Sequence, residues 1–472
     1  MSKKAIANTD VYESSGFVVE MPPTRASKTI FIIICALPIL TTILYGGVDA
    51  LVFGFHALTA GVLVVLWVWD SWATGEIYFS SNALQLPIIG LILIGIIQIL
   101  PFGDAGIASG VLSIEPNNAS SLDPFATRMF TVRLLVYLIF FAASLTFINS
   151  EKRVKLLVTL IVIFGSLIAF FGILQRLANP EAIYGIRPTP QAIPFGPFVN
   201  QHHFAAMMEI TIGLTLGLIF GGSVKRDRKP FLMIAAVLMA IALVFTGSRG
   251  GVLSFAGVFA FVAGATYLIG GGQKNRNSKN SGASKFGLIV AAAALGLIVV
   301  GSVFYLGAGD SLIRGVGLSE GAGDLSSGRL HFWQIALKIF AENPIFGAGL
   351  DAFGVAFSKF DTQSGLFRVE NAHNEYLQFL AEAGVIGIIV VLSFVLLLFR
   401  NGLRTIANTR DPFLRSVAVG SLAGCFGILI HSFFDFPLRT PSNTFFFLLL
   451  AALGTTLFTS KGIQNKAESS AP

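Results

Sequence analysis

The chain has 472 residues, 54% of them hydrophobic and 12% charged, with a mean hydropathy of +0.77. No ordinary water-soluble core absorbs that much apolar surface, so the composition excludes a soluble domain and indicates an all-α polytopic membrane protein. The net charge of +7 does not point to nucleic acid, because the basic residues are spread over short stretches between apolar runs and the positive-inside rule accounts for most of them.

Residues 1–28 are polar and too long for the charged region of a signal peptide, and no small-residue cleavage site follows the first apolar run. The first apolar run is therefore expected to be retained, with 1–28 as a cytoplasmic tail. About twelve runs of the ~20 residues that a crossing needs then follow within a transmembrane domain of 29–459. They lie near 29–45, 50–69, 84–101, 128–148, 154–177, 202–222, 230–246, 249–271, 286–306, 373–399, 414–433 and 442–459. Alternate connections carry Lys152-Arg153-Lys155, Lys225-Arg226-Arg228-Lys229, Lys274-Arg276-Lys279-Lys285 and Arg400-Arg404-Arg410-Arg415. That side is assigned to the cytoplasm, with the polar 460–472 as a second cytoplasmic tail. Segment 273–285, rich in Ser, Asn, Lys and Gly, is expected to be a flexible linker. Cys35 and Cys425 both fall inside apolar runs, so no disulfide is expected in the loops.

The outward connection 307–372, about 65 residues long, far exceeds the usual loop and is expected to be functional. Within it Arg329–Phe340 has apolar residues at helical spacing and Asn343-Pro344 closes the run. An amphipathic helix over the outer membrane surface is the expected form.

With the cytoplasmic clusters set aside, Arg128, Arg133, Arg176, Arg187, Arg249, Arg314, Arg329, Arg368 and Arg439 fall on or near the outward face, against only Lys338 and Lys359. Guanidinium is planar, permanently charged and bidentate toward phosphate oxygens, which suits a diphosphate headgroup. Ion pairs with Glu181, Asp310 or Asp324 are the alternative for any single arginine. Thr246-Gly247-Ser248-Arg249-Gly250-Gly251 turns the chain between two runs and holds Arg249 at the membrane edge. In Ser326-Ser327-Gly328-Arg329 either serine is a candidate N-cap for the loop helix.

Where the long loop re-enters the membrane, Asn371, Asn374, Glu375, Gln378 and Glu382 recur at three- and four-residue intervals and form one polar stripe. Polar groups at that depth face a protein interior or a wet cavity. His373 stands beside the stripe, where an imidazole can take a proton from a hydroxyl at neutral pH, or simply be hydrogen-bonded at a helix start. His431 and Asp435 are one turn apart, a spacing that permits a contact between them, though capping or packing explains it as well. Asn200 is a candidate cap for the sixth run, Glu209 lies about two turns into it, and adjacent His202 and His203 point to different faces and make a poor metal site. The outward loops hold no Asp-x-Asp pair, no HExxH and no cysteine cluster, so neither a metal nor a cofactor is expected.

Thr246–Gly251, Ser327-Gly328-Arg329, Ala372-His373-Asn374-Glu375-Tyr376 and Glu382-Ala383-Gly384-Val385-Ile386-Gly387 together resemble the O-antigen ligase family, which also includes O-antigen polymerases and protein O-oligosaccharyltransferases. The resemblance is clearest over 229–398. It implies metal-independent glycosyltransferase activity, moving a glycan from undecaprenyl diphosphate to an acceptor hydroxyl on the periplasmic side of the bacterial inner membrane. Arg249 and Arg329 match the family's diphosphate-holding arginines, and His373 its essential loop histidine. Arg128, Arg176, Arg187, Asn200, His203, Asn374, Glu375, His431, Asp435 and Arg439 are further candidates for binding diphosphate or glycan. The implied acceptor is a lipid A core sugar; the alternatives are a second lipid-linked repeat unit, as in polymerases of O-antigen, capsule or exopolysaccharide, or a protein Ser or Thr. Membrane lipids and envelope polysaccharide assembly proteins are the implied partners. A glycan transporter is the competing reading, and it would place ionisable groups near the bilayer midplane rather than at one edge.

Overall fold

The computed structural model describes residues 24–102, 118–179, 181–190, 192–272, 329–362 and 369–456. In chain order its helices are α1 (Arg25–Ile43), α2 (Ala50–Thr74), α3 (Gln85–Ile99), α4 (Pro124–Phe147), α5 (Glu151–Ala178), α6 (Gln201–Phe220), α7 (Lys229–Phe245) and α8 (Arg249–Gly272). After them come α9 (Arg329–Glu342), α10 (Phe353–Phe360), α11 (Glu375–Asn408), α12 (Pro412–His431) and α13 (Pro441–Thr455). Eight of these are long and apolar enough to cross a membrane, and α3, α7 and α13 are shorter apolar helices. A two-residue antiparallel pairing of β1 (Ala182–Ile183) with β2 (Arg187–Pro188) is the sheet present among the described residues. The protein is a multi-pass, all-α membrane protein. The expected ninth crossing at 286–306, the linker 273–285, Arg314, Arg368 and most of both tails lie outside the described residues.

Local chemistry fixes where the helices begin. Asp123, Ser150, Asn200, Asn374 and Asp411 each accept a hydrogen bond from a backbone N–H of the first turn they precede, meeting donors that the helix itself cannot satisfy. Proline stands in the first turn of α4, α7, α12 and α13, where its missing N–H costs nothing.

Helix α6 is enclosed by the bundle, with every residue from His203 to Ile219 buried. It meets α12 backbone to backbone: a Cβ added to Gly213 would lie 2.5 Å from the Gly424 nitrogen, and one added to Gly217 would lie 2.4 Å from the Gly420 Cα. Small residues at such a crossing let membrane helices gain dispersion contact without a hydrophobic drive.

Two features depart from the expectation. Helix α9 forms where its periodicity requires, but its buried apolar residues are covered by protein. Ile335, Ala336 and Ile339 pack with Phe353 and Phe357 of α10 and with Ala372 and Ala381 in a second, separate core. Helix α11 runs on to Asn408 and is broken at Gly384, where φ is +64° and ψ is −162°. Across this break the segment 344–349 supplies replacement hydrogen bonds, including Ala348 N to Ala381 O at 2.9 Å, Gly349 N to Glu382 O at 3.0 Å and Val385 N to Pro344 O at 2.9 Å. The Gln98 side-chain amide at the end of α3 donates to Phe346 O at 2.6 Å and Glu382 O at 2.8 Å. The loop is thus stitched into the bundle at the level of the polar stripe.

Candidate functional site

The ends of α7, α12 and the starts of α6, α8, α11 and α13 meet at one end of the bundle, and α9 closes over them. His373 lies just before α11 with φ +51°, a left-handed conformation that is uncommon for a side chain with a Cβ and is characteristically held by surrounding contacts at functional sites. Those contacts are on both sides. Ala372 donates its N–H to Gln378 Oε1 at 2.9 Å and accepts from Trp333 Nε1 of α9 at 3.1 Å, while Glu375 N donates to Ser432 O at 2.8 Å.

The His373 ring packs edge-on to Phe436, with centroids 4.9 Å apart, and is stacked with Phe332 at 6.1 Å. Its Nδ1 lies 3.1 Å from Asp435 Oδ1. Asp435 is 1% exposed and its Oδ1 also accepts from Phe436 N at 2.9 Å. Its Oδ2 takes no hydrogen bond among the described residues; Arg329 Nη2 and His202 Nδ1 each stand 4.0 Å from it. Burial alone would raise the Asp435 carboxyl, but the hydrogen bond with His373 and the neighbouring charge of His202 and His373 hold it below its ordinary value. An ionised carboxylate accepts only, so Nδ1 of His373 is the donor and Nε2 of the neutral ring is left as an acceptor. The side chain remains 29% exposed and open to a substrate.

Arg329 begins α9, one turn before Phe332, so the helix that stacks against His373 also delivers this guanidinium. Burial, with Asp435 opposing it and the charge of Arg249 adding to it, lowers Arg329 from the ordinary guanidinium value; it stays protonated. Arg249 is exposed at the start of α8, close enough for that mutual repulsion to register. Two cations held near one another favour an anion between them. Ser248 Oγ accepts from Gly251 N at 3.1 Å, capping α8, and lies 2.9 Å from His202 Nδ1. The cluster therefore comprises His373, Asp435, Arg329, Arg249 and His202.

The other sequence candidates separate into three groups. Arg439 is buried and paired: Nη1 to Asp351 Oδ1 at 2.7 Å, Nη2 to Glu382 Oε2 at 2.6 Å, and Nε 3.7 Å from Glu375 Oε2. The polar stripe thus faces the interior as expected, with Gln378 Nε2 linking Asn371 and Glu382 at 3.0 Å each. Asn374 and Asn200 are helix caps, and His203 is buried with Nδ1 2.7 Å from Thr440 Oγ1. Arg187 forms a two-pronged pair with Asp49 and lies over the Tyr45 ring, Arg128 is exposed near the start of α4, and Arg176 is half-buried in the last turn of α5. The spacing of His431 and Asp435 does not produce a side-chain hydrogen bond between them. His431 Nδ1 instead lies 2.7 Å from Glu209 Oε1, and Asp435 turns to His373.

Sequence reasoning missed His202 in favour of its neighbour. Asn200 as N-cap was the available signal: it fixes the helical phase, and His202 then faces the α7–α8 turn. Among the described residues no group of three or more His, Cys, Asp or Glu is arranged to hold a metal ion.

A multi-pass helical membrane protein with a cationic, histidine-bearing cluster at one end of its bundle is the class that fold and site define. Residues 234–411 match the family model described as O-antigen ligase, so the resemblance read from the sequence is shown over that segment, which carries Arg249, Arg329 and His373. The chain is also similar to the exopolysaccharide production protein ExoQ of Rhizobium meliloti (strain 1021), at 25% identity over 180 residues covering 36% of this chain. The match spans 39% of the length of that relative.

Proposed function

We propose that the protein is a polysaccharide-assembling glycosyltransferase of the inner membrane, with both termini cytoplasmic and the cluster facing the periplasm. It transfers a glycan from undecaprenyl diphosphate to an acceptor hydroxyl. The observation that carries this reading is the His373–Asp435 contact beside Arg329 and Arg249. With Nδ1 committed to Asp435, Nε2 of His373 takes the proton from the acceptor hydroxyl as its oxygen attacks the anomeric carbon. The bond from that carbon to the diphosphate oxygen breaks, and the growing negative charge is met by Arg249 and Arg329 in a partly dehydrated site. Asp435 keeps the ring in the required tautomer and stabilises the imidazolium that results. No metal takes part in this scheme.

A lipid A core sugar is the first acceptor to consider, as in ligases. The similarity to an exopolysaccharide production protein favours a second reading, in which the acceptor is the end sugar of another lipid-linked repeat unit and the product is a longer chain. His373→Ala and Arg249→Ala are each expected to abolish glycan transfer while the protein still inserts and folds. Normal product from either purified variant would sink the mechanism, and the linkage in the wild-type product decides between the two acceptors.

A further inference from the structure

Glu209 and His431 have no part in the reaction scheme above, yet they are 0% and 1% exposed and form a contact of 2.7 Å. An ionisable pair of this kind inside a membrane bundle is costly unless it does something that an apolar pair cannot. The contact bridges α6 and α12 beyond their backbone crossing at Gly213 and Gly424, one turn away along α6 and two turns away along α12. Three connections lead from it to the cluster.

The first is backbone: His431 O accepts from Phe434 N at 2.8 Å and from Asp435 N at 3.0 Å, so the turn that aims Asp435 springs from this residue. The second is the adjoining carbonyl, since Ser432 O receives the Glu375 N–H two positions after His373. The third is steric. A Cβ on Gly250 would meet His431 Cδ2 at 3.1 Å and Phe434 Cβ at 3.0 Å, so the first turn of α8, which bears Arg249, rests directly on the imidazole.

We propose that Glu209 and His431 are a positioning pair that sets Arg249 against His373 and Asp435, an inference that rests on the reading of the site given above. Glu209 fixes the rotation of the imidazole through Nδ1. The fixed ring is then the surface on which the Arg249 turn seats and the root from which the Asp435 turn leaves. A free ring would let both drift, and a displacement near 1 Å between reacting groups costs as much as ~10²-fold in rate.

The test uses the full-length protein in detergent, with lipid-linked glycan extracted from cells of the native host that lack this chain. Turnover per folded molecule and melting temperature are measured for wild type, His373→Ala, Glu209→Gln, Glu209→Leu and Gly250→Ala. Glu209→Gln keeps an oxygen that accepts from Nδ1 and is expected to retain kcat within about threefold, whereas Glu209→Leu and Gly250→Ala are expected to lower kcat per folded molecule by about tenfold or more. Gly250→Ala leaves the buried pair intact, so it carries the test even if Glu209→Leu does not fold. Wild-type kcat in folded Glu209→Leu and Gly250→Ala beside an inactive His373→Ala would overturn the positioning role alone. Equal turnover by wild type and His373→Ala would instead reject the reading of the site.

Discussion

Asp435 shows how a residue can be visible in a sequence while its role is not. Its spacing from His431 suggested a pair one helical turn apart, but α12 ends at His431 and the following turn rotates the carboxylate away. The partner it takes is 62 residues distant, and nothing in local spacing encodes such a contact. His373, Arg249 and Arg329 were legible because each sits in a short motif with its own backbone logic: a glycine-flanked turn, the start of a periodic helix and the entry to a polar stripe. Arg439 was legible only as a cation, since Asp351 and Glu382 reach it from 88 and 57 residues away. Asp435→Asn is expected to leave the fold intact and lower kcat by at least ~10²-fold, because an amide can accept or donate and no longer enforces the tautomer that leaves Nε2 as the base. Retention of wild-type kcat in a folded Asp435→Asn variant would remove Asp435 from the mechanism.

At the scale of elements, periodicity and capping placed the helices well because apolar runs of crossing length admit few other structures in a bilayer. The start of α6 followed its cap Asn200, which is short-range and readable, whereas Asn374, read as part of the polar stripe, also caps α11. The break in α11 was not readable. Glu382-Ala383-Gly384-Val385 looks like continuous helix until the segment 344–349 is known to cross there and take over its hydrogen bonds. Gly384 is required twice: its φ is positive, and an added Cβ would lie 2.3 Å from Ile345 O. Since the break sits two turns and more below His373, it also sets how the stripe meets Arg439. Gly384→Val is expected to destabilise by more than the ~0.4–1 kcal/mol that replacing a glycine gains at a compatible position, reducing the yield of monodisperse protein and its melting temperature in detergent. An unchanged melting temperature would mean that the break is incidental to the fold. The protein cover of helix α9 was unreadable for a related reason: an amphipathic pattern says that one face is covered, not whether lipid or protein covers it.

For the whole molecule, composition alone sufficed to define a multi-pass membrane protein, while the assembly of its site depended on contacts between α6, α8, α9, α11 and the turn after α12. The arginines noted along the outward segments do not act as one group. Arg249 and Arg329 join His373, Arg439 neutralises buried carboxylates, and Arg187 anchors a hairpin to Asp49. A transporter would use ionisable groups to carry cargo across the bilayer, whereas a glycosyltransferase needs only that donor, acceptor and cluster meet at one end. Detergent removes the barrier and keeps the chemistry. The most direct measurement is therefore turnover by purified wild-type protein in detergent, given lipid-linked glycan and acceptor in the presence of excess EDTA, with the product identified by mass. A new glycosidic linkage and released undecaprenyl diphosphate are expected, both lost in His373→Ala; no linkage formed by folded wild-type protein, or equal product from His373→Ala, would contradict this mechanism.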